Sequence, residues 1–324
     1  MEVWMDADAI PVGISACLLG EAVRYDGGHR RDSYIVGTLG RFFRFVPCCP
    51  EVSAGLGVPR PTIRLVRVGD DLRAMGTRDP HPDVTDALQA LADRVIRDHP
   101  DLCGFLLKAR SPSCGMERVP VYRSVEDQGR PEKRGVGAFA RRLMALAPEI
   151  PLEEEGRLGD PVIRDHFVTR VFTLWRFRRM RDQGLSPAAL LDFHARHKLL
   201  LLAHHRPGYV ALGRLLAARA GDRDLEAVAR DYLAGLTETL RHPATRGRNT
   251  DVLQHLAGFL KRDLDAADRA EIAEVIDAYR RGQVPLIVPI TLLRHHFRRH
   301  PHPYVAGQVY LEPHPPELAL RNGV

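Results

Sequence analysis

The sequence predicts an α/β amino-terminal domain with a doubly wound, mostly parallel sheet, followed by an all-α carboxyl-terminal domain. Short apolar runs alternate with helical patterns in the first half, and the apolar period is helical almost throughout from residue 161 onward. An acidic, glycine-containing stretch at 148–160 separates the two patterns. A chain of 324 residues is long enough for two domains, and we expect them to span 1–155 and 156–324.

The first domain contains four short apolar runs that predict strands, at 12–16, 41–46, 62–68 and 102–107. The third run alternates apolar and polar residues, as a strand with one exposed face does. Two stretches carry apolar residues at helical spacing and predict helices, at 83–99 and 137–147. Because strands and helices alternate along the chain, we expect a parallel sheet with helices packed against it.

The second domain consists of helical segments separated by Gly, Pro or Asp. They are predicted at 161–183, 187–204, 207–220, 223–241, 250–263, 266–281 and 289–299. Ser186 before Pro187 is typical of a helix N-cap followed by proline at the first helical position. The remaining residues, rich in Pro and His, predict an ordered tail without regular structure.

The positive charge of the chain is concentrated in its second half. Residues 161–324 carry a net charge of +8 and residues 1–160 a net charge of −2, which together give the +6 of the whole chain. A basic half indicates an acidic partner such as nucleic acid. A solvated basic surface without a ligand explains the charge equally well.

The sequence also bears on the compartment in which the protein works. No apolar run approaches the ~20 residues of a membrane span, and residues 1–6 lack the basic and apolar regions of a secretory signal. Five cysteines is an odd number, which favours free thiols or metal ligands over disulfides. We therefore expect a cytoplasmic protein without a membrane partner, and the sequence does not set its oligomeric state.

Three cysteines lie far apart in the chain, each after an apolar run and at the start of a Gly/Pro turn: Cys17, Cys49 and Cys114. Such turns converge at one edge of an α/β sheet, where three thiolates could hold an iron–sulfur cluster and leave one iron without a protein ligand. For each cysteine alone, a core position is the usual alternative. By spacing alone, either Cys48 or Cys49 could be the ligand, and Cys103, within an apolar run, is predicted to be packed.

These cysteine motifs belong to a longer series that resembles the thiouracil desulfidase (TudS-like) family over residues 11–150. The matching motifs are Cys-Leu-Leu-Gly at 17–20, Val-Arg-Tyr-Asp-Gly at 23–27, Cys-Pro-Glu at 49–51, Pro-Arg-Pro at 59–61 and Ser-Pro-Ser-Cys-Gly at 111–115. Residues 160–324 resemble the YbgA-like helical domain. The matching parts there are 193–198, 249–255, 279–286 and the tail 303–322. The fusion of the two resembles the tRNA 4-thiouridine desulfidases of the RudS type.

The resemblance implies a cofactor and a set of site residues. It implies that Cys17, Cys49 and Cys114 bind a [4Fe-4S] cluster with one open iron, and it selects Cys49, directly before Pro-Glu, over Cys48. It also implies that two further residues are catalytic, Glu51 and Ser111. The implied partners are a thionucleoside substrate and tRNA.

One departure from the family pattern concerns the segment after Pro-Arg-Pro. Single-domain members that the sequence resembles usually have a carboxylate a few residues after this motif. Here Thr62, Ile63 and Arg64 follow it, so any role of that carboxylate is absent. The change suits a larger, anionic substrate.

The predicted chemistry replaces the sulfur of a C=S group by oxygen without net redox. An iron without a protein ligand can bind the thiocarbonyl sulfur and polarise the bond as a Lewis acid. Glu51, two residues after Cys49, can protonate the ring nitrogen or activate water. Ser111, three residues before Cys114, can relay a proton or orient the base. An ordinary surface position for Glu51 and a turn-capping role for Ser111 are the alternatives.

The candidates for contacts with tRNA phosphates lie early in the helical half. Long basic side chains neutralise phosphates and release counterions, which gives affinity without sequence preference. The candidates are Arg176, Arg178, Arg179, Arg196 and Lys198. Nearby aromatic residues such as Tyr209 could stack on bases, although aromatics at helical spacing are more often part of a core.

Three functions compete on this sequence. The first is a tRNA desulfidase that acts on 4-thiouridine, with the basic half holding tRNA. The second is a desulfidase of free thiobases such as thiouracil, with the helical half serving assembly. The third is an RNA-binding regulatory protein whose cluster is structural or senses oxidants. The basic half favours the first over the second, and an open iron beside Glu51 would separate both from the third, because a structural cluster normally has four protein ligands.

Overall fold

The computed structural model describes residues 9–219, 221 and 223–324. The chain divides into two compact units, the first ending at Asp160 and the second spanning Pro161–Val324. The α/β class of the first unit and the all-α class of the second are confirmed. The opening residues that bear on a secretory signal lie outside the described part of the chain.

The strands of the first unit form two four-stranded sheets. They are β1 (Ile10–Ser15), β2 (Phe43–Cys48), β3 (Ile63–Val68), β4 (Asp71–Gly76), β5 (Gly104–Leu107), β6 (Val119–Tyr122), β7 (Glu132–Gly135) and β8 (Leu152–Glu154). The first sheet has the order β2-β1-β5-β8 and is parallel throughout. The second has the order β4-β3-β6-β7 and is mixed.

The sequence predicts one mostly parallel sheet, whereas the structure has two sheets. The strand predicted at 62–68 is β3, and it pairs antiparallel with β4. Only Gly69 and Asp70 connect these strands, and Gly69 has a φ of +61°. A connection of two residues permits only an antiparallel neighbour, so β3 and β4 form a hairpin, which belongs to the mixed sheet with β6 and β7.

The helices of the first unit pack against these strands. They are α1 (Ser33–Gly37), α2 (Pro50–Ser53), α3 (Thr85–Asp98) and α4 (Ala138–Leu146). The two longest, α3 and α4, were predicted from their apolar spacing and contact each other. Leu88 and Leu91 of α3 and Phe139 of α4 are buried, so the predicted apolar faces are the faces that reach the core.

The first sheet brings separate parts of the chain to one edge. β1 is central, with Ser15 opposite Cys48 of β2 and Ile14 opposite Leu106 of β5. Because the strands are parallel, their carboxyl ends share an edge. The chain passes from β1 to β2 on one side and later to β5 on the other, so its connections diverge between β1 and β5. Open α/β sheets bind ligands at such a point.

The described part of the second unit is helical, with short turns in its tail. Its helices are α5 (Pro161–Asp182), α6 (Pro187–His204), α7 (Arg206–Ala218), α8 (Leu225–Arg241), α9 (Arg246–Phe259), α10 (Ala266–Arg280), α11 (Ile287–Arg299) and α12 (Pro303–Ala306). Ser186 accepts a hydrogen bond from the backbone NH of Ala189, which confirms the predicted N-cap of α6. Within the described residues, no helix combines the length and the apolar content that crossing a membrane requires.

Two hydrophobic clusters hold these helices together. Leu199, Leu253 and Ile290 belong to the cluster that joins α6, α9, α10 and α11. Phe177 and Tyr232 belong to the cluster that joins α5, α6, α7 and α8. Since α6 contributes to both clusters, it is the central helix of the unit.

Candidate active site

A cavity of about 440 Å³ opens at the carboxyl edge of the first sheet. Every catalytic and cluster residue that the sequence analysis selected lies on its wall: Cys17, Cys49, Glu51, Ser111 and Cys114. These residues come from three segments that follow β1, β2 and β5. The parallel register of those strands brings the segments together.

Each thiol is placed by the turn that follows its strand. Cys17 lies in the 3₁₀ turn Ala16–Leu18 directly after β1, and Cys49 is the residue that precedes α2. Cys114 follows β5 in a tight turn in which a Cβ on Gly115 would lie 2.8 Å from the carbonyl oxygen of Ser111. A side chain at that position would force the turn open, so glycine permits the close approach of Cys114 to the edge of the sheet.

The two remaining cysteines differ in position. Cys48, the last residue of β2, also lines the cavity, so four thiols are present there. Cys103 precedes β5, at the opposite end of that strand, and is buried. It is not among the residues that line this cavity, in agreement with its prediction as a packed residue.

Burial raises the pKa of every thiol in the cavity. The pKa of Cys17 is raised to about 11, first by burial and then by the neighbouring Cys49. Burial is also the main reason that the pKa values of Cys48, Cys49 and Cys114 are raised. Without a bound cation the cavity therefore holds neutral thiols, and a thiophilic, positively charged group would be needed to stabilise the thiolates.

The arrangement of the sulfurs tests which group would fit. Within the described residues, no three of the cysteine sulfurs lie within 4.8 Å of one another. Two thiolates on one tetrahedral zinc would be only about 3.8 Å apart, given a Zn–S bond of about 2.3 Å. The thiols therefore do not fit one ion, whereas an iron–sulfur cluster, in which each thiolate binds a different iron, suits sulfurs that lie further apart.

Glu51 is held by donors from two other segments. Arg60 donates to its Oε2 from Nε at 2.9 Å and from Nη2 at 2.8 Å. The Ser113 hydroxyl donates to its Oε1 at 2.8 Å. A carboxylate offers about four acceptor positions, so one position on Oε1 remains for a water or a substrate N–H. Glu51 is therefore a fixed acceptor on the cavity wall.

Ser111 has the turn-capping contacts that the sequence analysis gave as its alternative. Its Oγ accepts hydrogen bonds from the backbone NH of Ser113 at 3.2 Å and of Cys114 at 3.1 Å. These contacts occupy both acceptor positions of the hydroxyl and leave its O–H as a donor. Ser111 also lines the cavity, so capping the turn and donating to a ligand are compatible.

The sequence analysis missed the residues that hold Glu51. Arg60 is buried, and besides Glu51 it donates from Nη1 to the carbonyls of Val23 and Gly57, each at 2.9 Å. Ser113 is fully buried. Both residues lie inside motifs that were noticed, Pro-Arg-Pro and Ser-Pro-Ser-Cys-Gly, and the signal that could have identified Arg60 is an arginine fixed between two prolines.

The residues that follow Pro-Arg-Pro, where the sequence has no carboxylate, make other contacts in the structure. The Thr62 hydroxyl hydrogen-bonds with that of Thr77 at 2.8 Å, and the Arg64 guanidinium lies over the ring of Tyr122. Neither residue lines the thiol cavity. Of the residues that line the cavity, Glu51 is the one that carries a carboxylate.

Cationic side chains edge the same cavity. Lys108 forms an ion pair with Glu155, and Arg24 lies 3.5 Å from Asp26. Arg30 and Arg110 also line the cavity and are exposed. Across the described ranges, neither of these two arginines has a carboxylate within 4.0 Å. The cavity therefore combines soft thiols with two exposed arginines that form no ion pair within 4.0 Å in the described part of the chain.

The five candidates for tRNA contacts do not share one environment. Arg179 is exposed and lies over the ring of Trp175, and Arg178 is half-buried. Arg196 is exposed and lies 3.8 Å from Asp192, whereas Lys198 lies over Tyr304. The structure thus leaves Arg178, Arg179 and Arg196 on the surface of α5 and α6.

Arg176 differs from the other candidates. Its guanidinium donates to the carbonyl oxygen of Pro313, and desolvation lowers its pKa to about 9. A second arginine, Arg196, adds to that effect. Arg176 thus connects α5 to the tail of the unit.

Comparisons with known proteins match both units. Residues 12–155 match the family model described as 2-thiouracil desulfurase, and residues 198–315 match that described as protein of unknown function (DUF1722). The "Uncharacterized protein YbgA" of Escherichia coli (strain K12) is 35% identical over 158 residues, 49% of this chain and 94% of that protein. A solved structure, "[4Fe-4S]-dependent thiouracil desulfidase TudS", is 30% identical, covers 46% of this chain and 93% of that chain, and has a TM-score of 0.36. The chain thus joins a 2-thiouracil desulfurase domain to a DUF1722 domain and, through its helical half, belongs to the YbgA family.

Proposed function

We propose that this protein is a [4Fe-4S]-dependent desulfidase that converts 4-thiouridine in tRNA to uridine and hydrosulfide. The observation that carries the proposal is one cavity that combines buried and half-buried thiols, a fixed carboxylate and exposed arginines. Thiols suit the cluster, the carboxylate suits proton transfer, and the arginines suit a substrate attached to phosphates. The free state of all five cysteines and a tRNA substrate both suit the cytoplasm.

Cys17, Cys49 and Cys114 would hold the cluster. They stand on three different segments, so each can reach a different iron, and Cys17 and Cys114 are buried while Cys49 is half-buried. When bound, the cluster would supply an iron without a protein ligand, a Lewis acid for the thiocarbonyl sulfur. Burial raises the pKa of Cys114, and the Ser15 hydroxyl, through its hydrogen bond with this thiol, partly offsets that rise; this contact would favour the thiolate form.

Glu51 would manage the protons of the reaction. Water adds its oxygen to C4 of the thiouracil ring while the C=S bond breaks, and the free acceptor position on Glu51 Oε1 can take the proton that the water gives up. That proton then leaves with the sulfur as hydrosulfide, and the second proton of the water passes to solvent as the C=O bond forms, so atoms balance and nothing is oxidised. The O–H of Ser111 is free to donate. It would donate a hydrogen bond to the substituent at C4 of the thiouracil ring and hold the ring beside Glu51.

The charge around the cavity favours a substrate within a nucleic acid. A free thiobase carries no phosphate, so it gives Arg30 and Arg110 nothing to neutralise. A thiouridine within tRNA has phosphates on both sides, and an exposed Tyr25 on the same wall can stack on a base. The exposed arginines of α5 and α6 would add affinity that does not depend on sequence.

A second candidate is favoured by one specific observation. Cys48 also lines the cavity, so the four thiols are enough to saturate a cluster. A saturated cluster would suit an RNA-binding protein that senses oxidants. In that case Glu51 would have no reacting atom to serve, and iron binding would require Cys48.

The test is turnover by the protein reconstituted with iron and sulfide under anaerobic conditions. Thiolated tRNA, free 4-thiouridine and 2-thiouracil are supplied separately, and the nucleosides and bases are measured by mass spectrometry. We expect uridine to replace 4-thiouridine in tRNA, with much slower conversion of the free compounds. Conversion of 2-thiouracil but not of tRNA would support a thiobase desulfidase, and no conversion by a protein with a full cluster would support the sensor.

A further inference from the structure

The helical unit contains a cavity that the proposed reaction does not use. Its volume is about 410 Å³, and its walls come from α6, α7 and α9. Two sequence motifs of this half, at 193–198 and 249–255, meet there. Lys198 comes from the first, and Asp251 and His255 come from the second.

The wall of this cavity carries more positive than negative charge. Lys198, Arg206 and Arg248 all line it. In the described part of the chain, none of these three has a carboxylate within 4.0 Å, although Asp251 lines the same cavity. A concave surface with several unneutralised cations attracts an anion, because its low-dielectric walls strengthen the attraction.

Arg248 is fixed in place. Its Nε lies 3.1 Å from the Thr245 hydroxyl, its Nη2 donates to the carbonyl of Pro243 at 2.7 Å, and its Nη1 donates to the carbonyl of His204. Its charge is therefore part of the cavity wall before any ligand arrives. Lys198 lies over the ring of Tyr304, but neither it nor Arg206 is held by a set of hydrogen bonds like that of Arg248 among the described residues, so these two side chains can turn toward a phosphate.

The rest of the wall suits an aromatic ring. Leu199, Leu202 and Val252 provide apolar surface. Tyr209 lies on the same wall and is stacked against His194, with ring centroids 4.9 Å apart and planes 2° apart. An oriented aromatic ring and apolar side chains beside a cationic wall match the two ends of a nucleotide, its base and its phosphate.

We propose that this cavity binds one nucleotide unit. Lys198 and Arg206 bind its phosphate, with Arg248 adding fixed positive charge, and the base packs on Tyr209 and the leucines. Asp251 accepts a hydrogen bond from a ribose hydroxyl, which explains a carboxylate in a cationic cavity. The unit comes either from an RNA chain, in which case the inference rests on the proposed tRNA substrate, or from a free nucleotide.

The test uses the full chain and uridine 5′-monophosphate as the probe, measured by isothermal titration calorimetry. We expect saturable binding that inorganic phosphate, lacking base and ribose, matches only weakly. Lys198→Ala and Arg206→Ala should each weaken binding of the nucleotide roughly tenfold, because each removes a charge-assisted hydrogen bond. Arg214→Ala is the matched control, since Arg214 is an exposed arginine of α7 that does not line the cavity.

A competition experiment then separates the two sources. If the cavity holds a nucleotide of tRNA, excess uridine 5′-monophosphate raises the apparent Kd for tRNA, and the two cavity variants bind tRNA more weakly as well. If the cavity holds a free nucleotide, neither excess uridine 5′-monophosphate nor the two cavity substitutions change the affinity for tRNA. No saturable nucleotide binding, or equal binding in the two cavity variants and in Arg214→Ala, overturns the proposal. None of these readouts needs the cluster, so a failure of desulfuration would not be mistaken for a failure of this site.

Discussion

At the scale of the residue, the contacts of Glu51 lead to a test of its role. Glu51→Ala should retain iron and tRNA affinity but lose turnover by roughly 10²- to 10⁴-fold, the usual contribution of a proton-transferring group. Iron content, tRNA affinity and kcat are measured on the same reconstituted sample. Undiminished sulfide release by an iron-loaded Glu51→Ala protein would remove Glu51 from the mechanism.

Ser113 provides a second test at the same scale, because it contacts Glu51 through Oε1 only. Ser113→Ala frees an acceptor position and leaves the Arg60 pair, so Glu51 keeps its charge but loses part of its orientation. We expect a fall in kcat of about tenfold, the effect of one hydrogen bond of ordinary net strength, with KM and iron content little changed. A loss of iron in this variant would mean instead that Ser113 supports the turn of Cys114.

The identity of the ligands is the third question for single residues. Cys49→Ala should abolish iron binding, whereas Cys48→Ala and the matched control Cys103→Ala should retain it. The reason is that Cys49 starts the turn before α2, whereas Cys48 is the last residue of β2. Iron content and visible absorbance after reconstitution measure the result. Retention of iron in Cys49→Ala together with its loss in Cys48→Ala would reverse the assignment.

At the scale of the element, the arginines of α5 divide into two roles. Arg176→Ala should lower the Tm, because it removes the hydrogen bond between α5 and the carbonyl of Pro313. Arg179→Ala should leave the Tm nearly unchanged and weaken tRNA binding, because Arg179 is exposed. The slope of log affinity against log salt should fall by about one for each phosphate that the variant no longer neutralises. Salt-independent tRNA affinity would favour an assembly role for the helical unit.

The central helix α6 carries two buried histidines that make stability depend on pH. Burial lowers the pKa of His197 and of His204 to about 3, whereas an unfolded chain protonates them near pH 6.5. Between these values the unfolded state binds more protons, so stability falls as the pH drops below about 6.5. The loss approaches about 1.4 kcal/mol per pH unit for each histidine.

Urea unfolding at pH 7 and pH 5.5 checks this expectation. His204→Gln should lose less stability between the two pH values than the wild type, whatever its stability at pH 7. Asp165, whose pKa is lowered, would contribute a loss only nearer pH 3.8 and so does not confuse the comparison. An equal loss in His204→Gln and wild type would show that His204 is not the titrating group.

At the scale of the whole molecule, the sequence by itself determined the two classes of structure and their order along the chain. Strand–helix alternation and the helical period depend on local spacing, so they can be recognised without knowledge of the tertiary contacts. The cysteine turns were visible for the same reason, since Gly and Pro mark the ends of strands locally. The five cluster and catalytic residues that the sequence predicts all lie on the wall of the thiol cavity: Cys17, Cys49, Glu51, Ser111 and Cys114.

Only the tertiary structure decided what surrounds those residues. Three features depend on contacts between segments that are distant in sequence. They are the separate second sheet, the hydrogen bonds from Arg60 and Ser113 to Glu51, and the environment of Arg176. The same is true of the cavity between α6, α7 and α9, to which the two helical motifs contribute. Local spacing specifies which face of a strand or helix is apolar, but it does not specify which distant side chain satisfies a buried charge. That choice depends on packing, and packing is set by the whole chain.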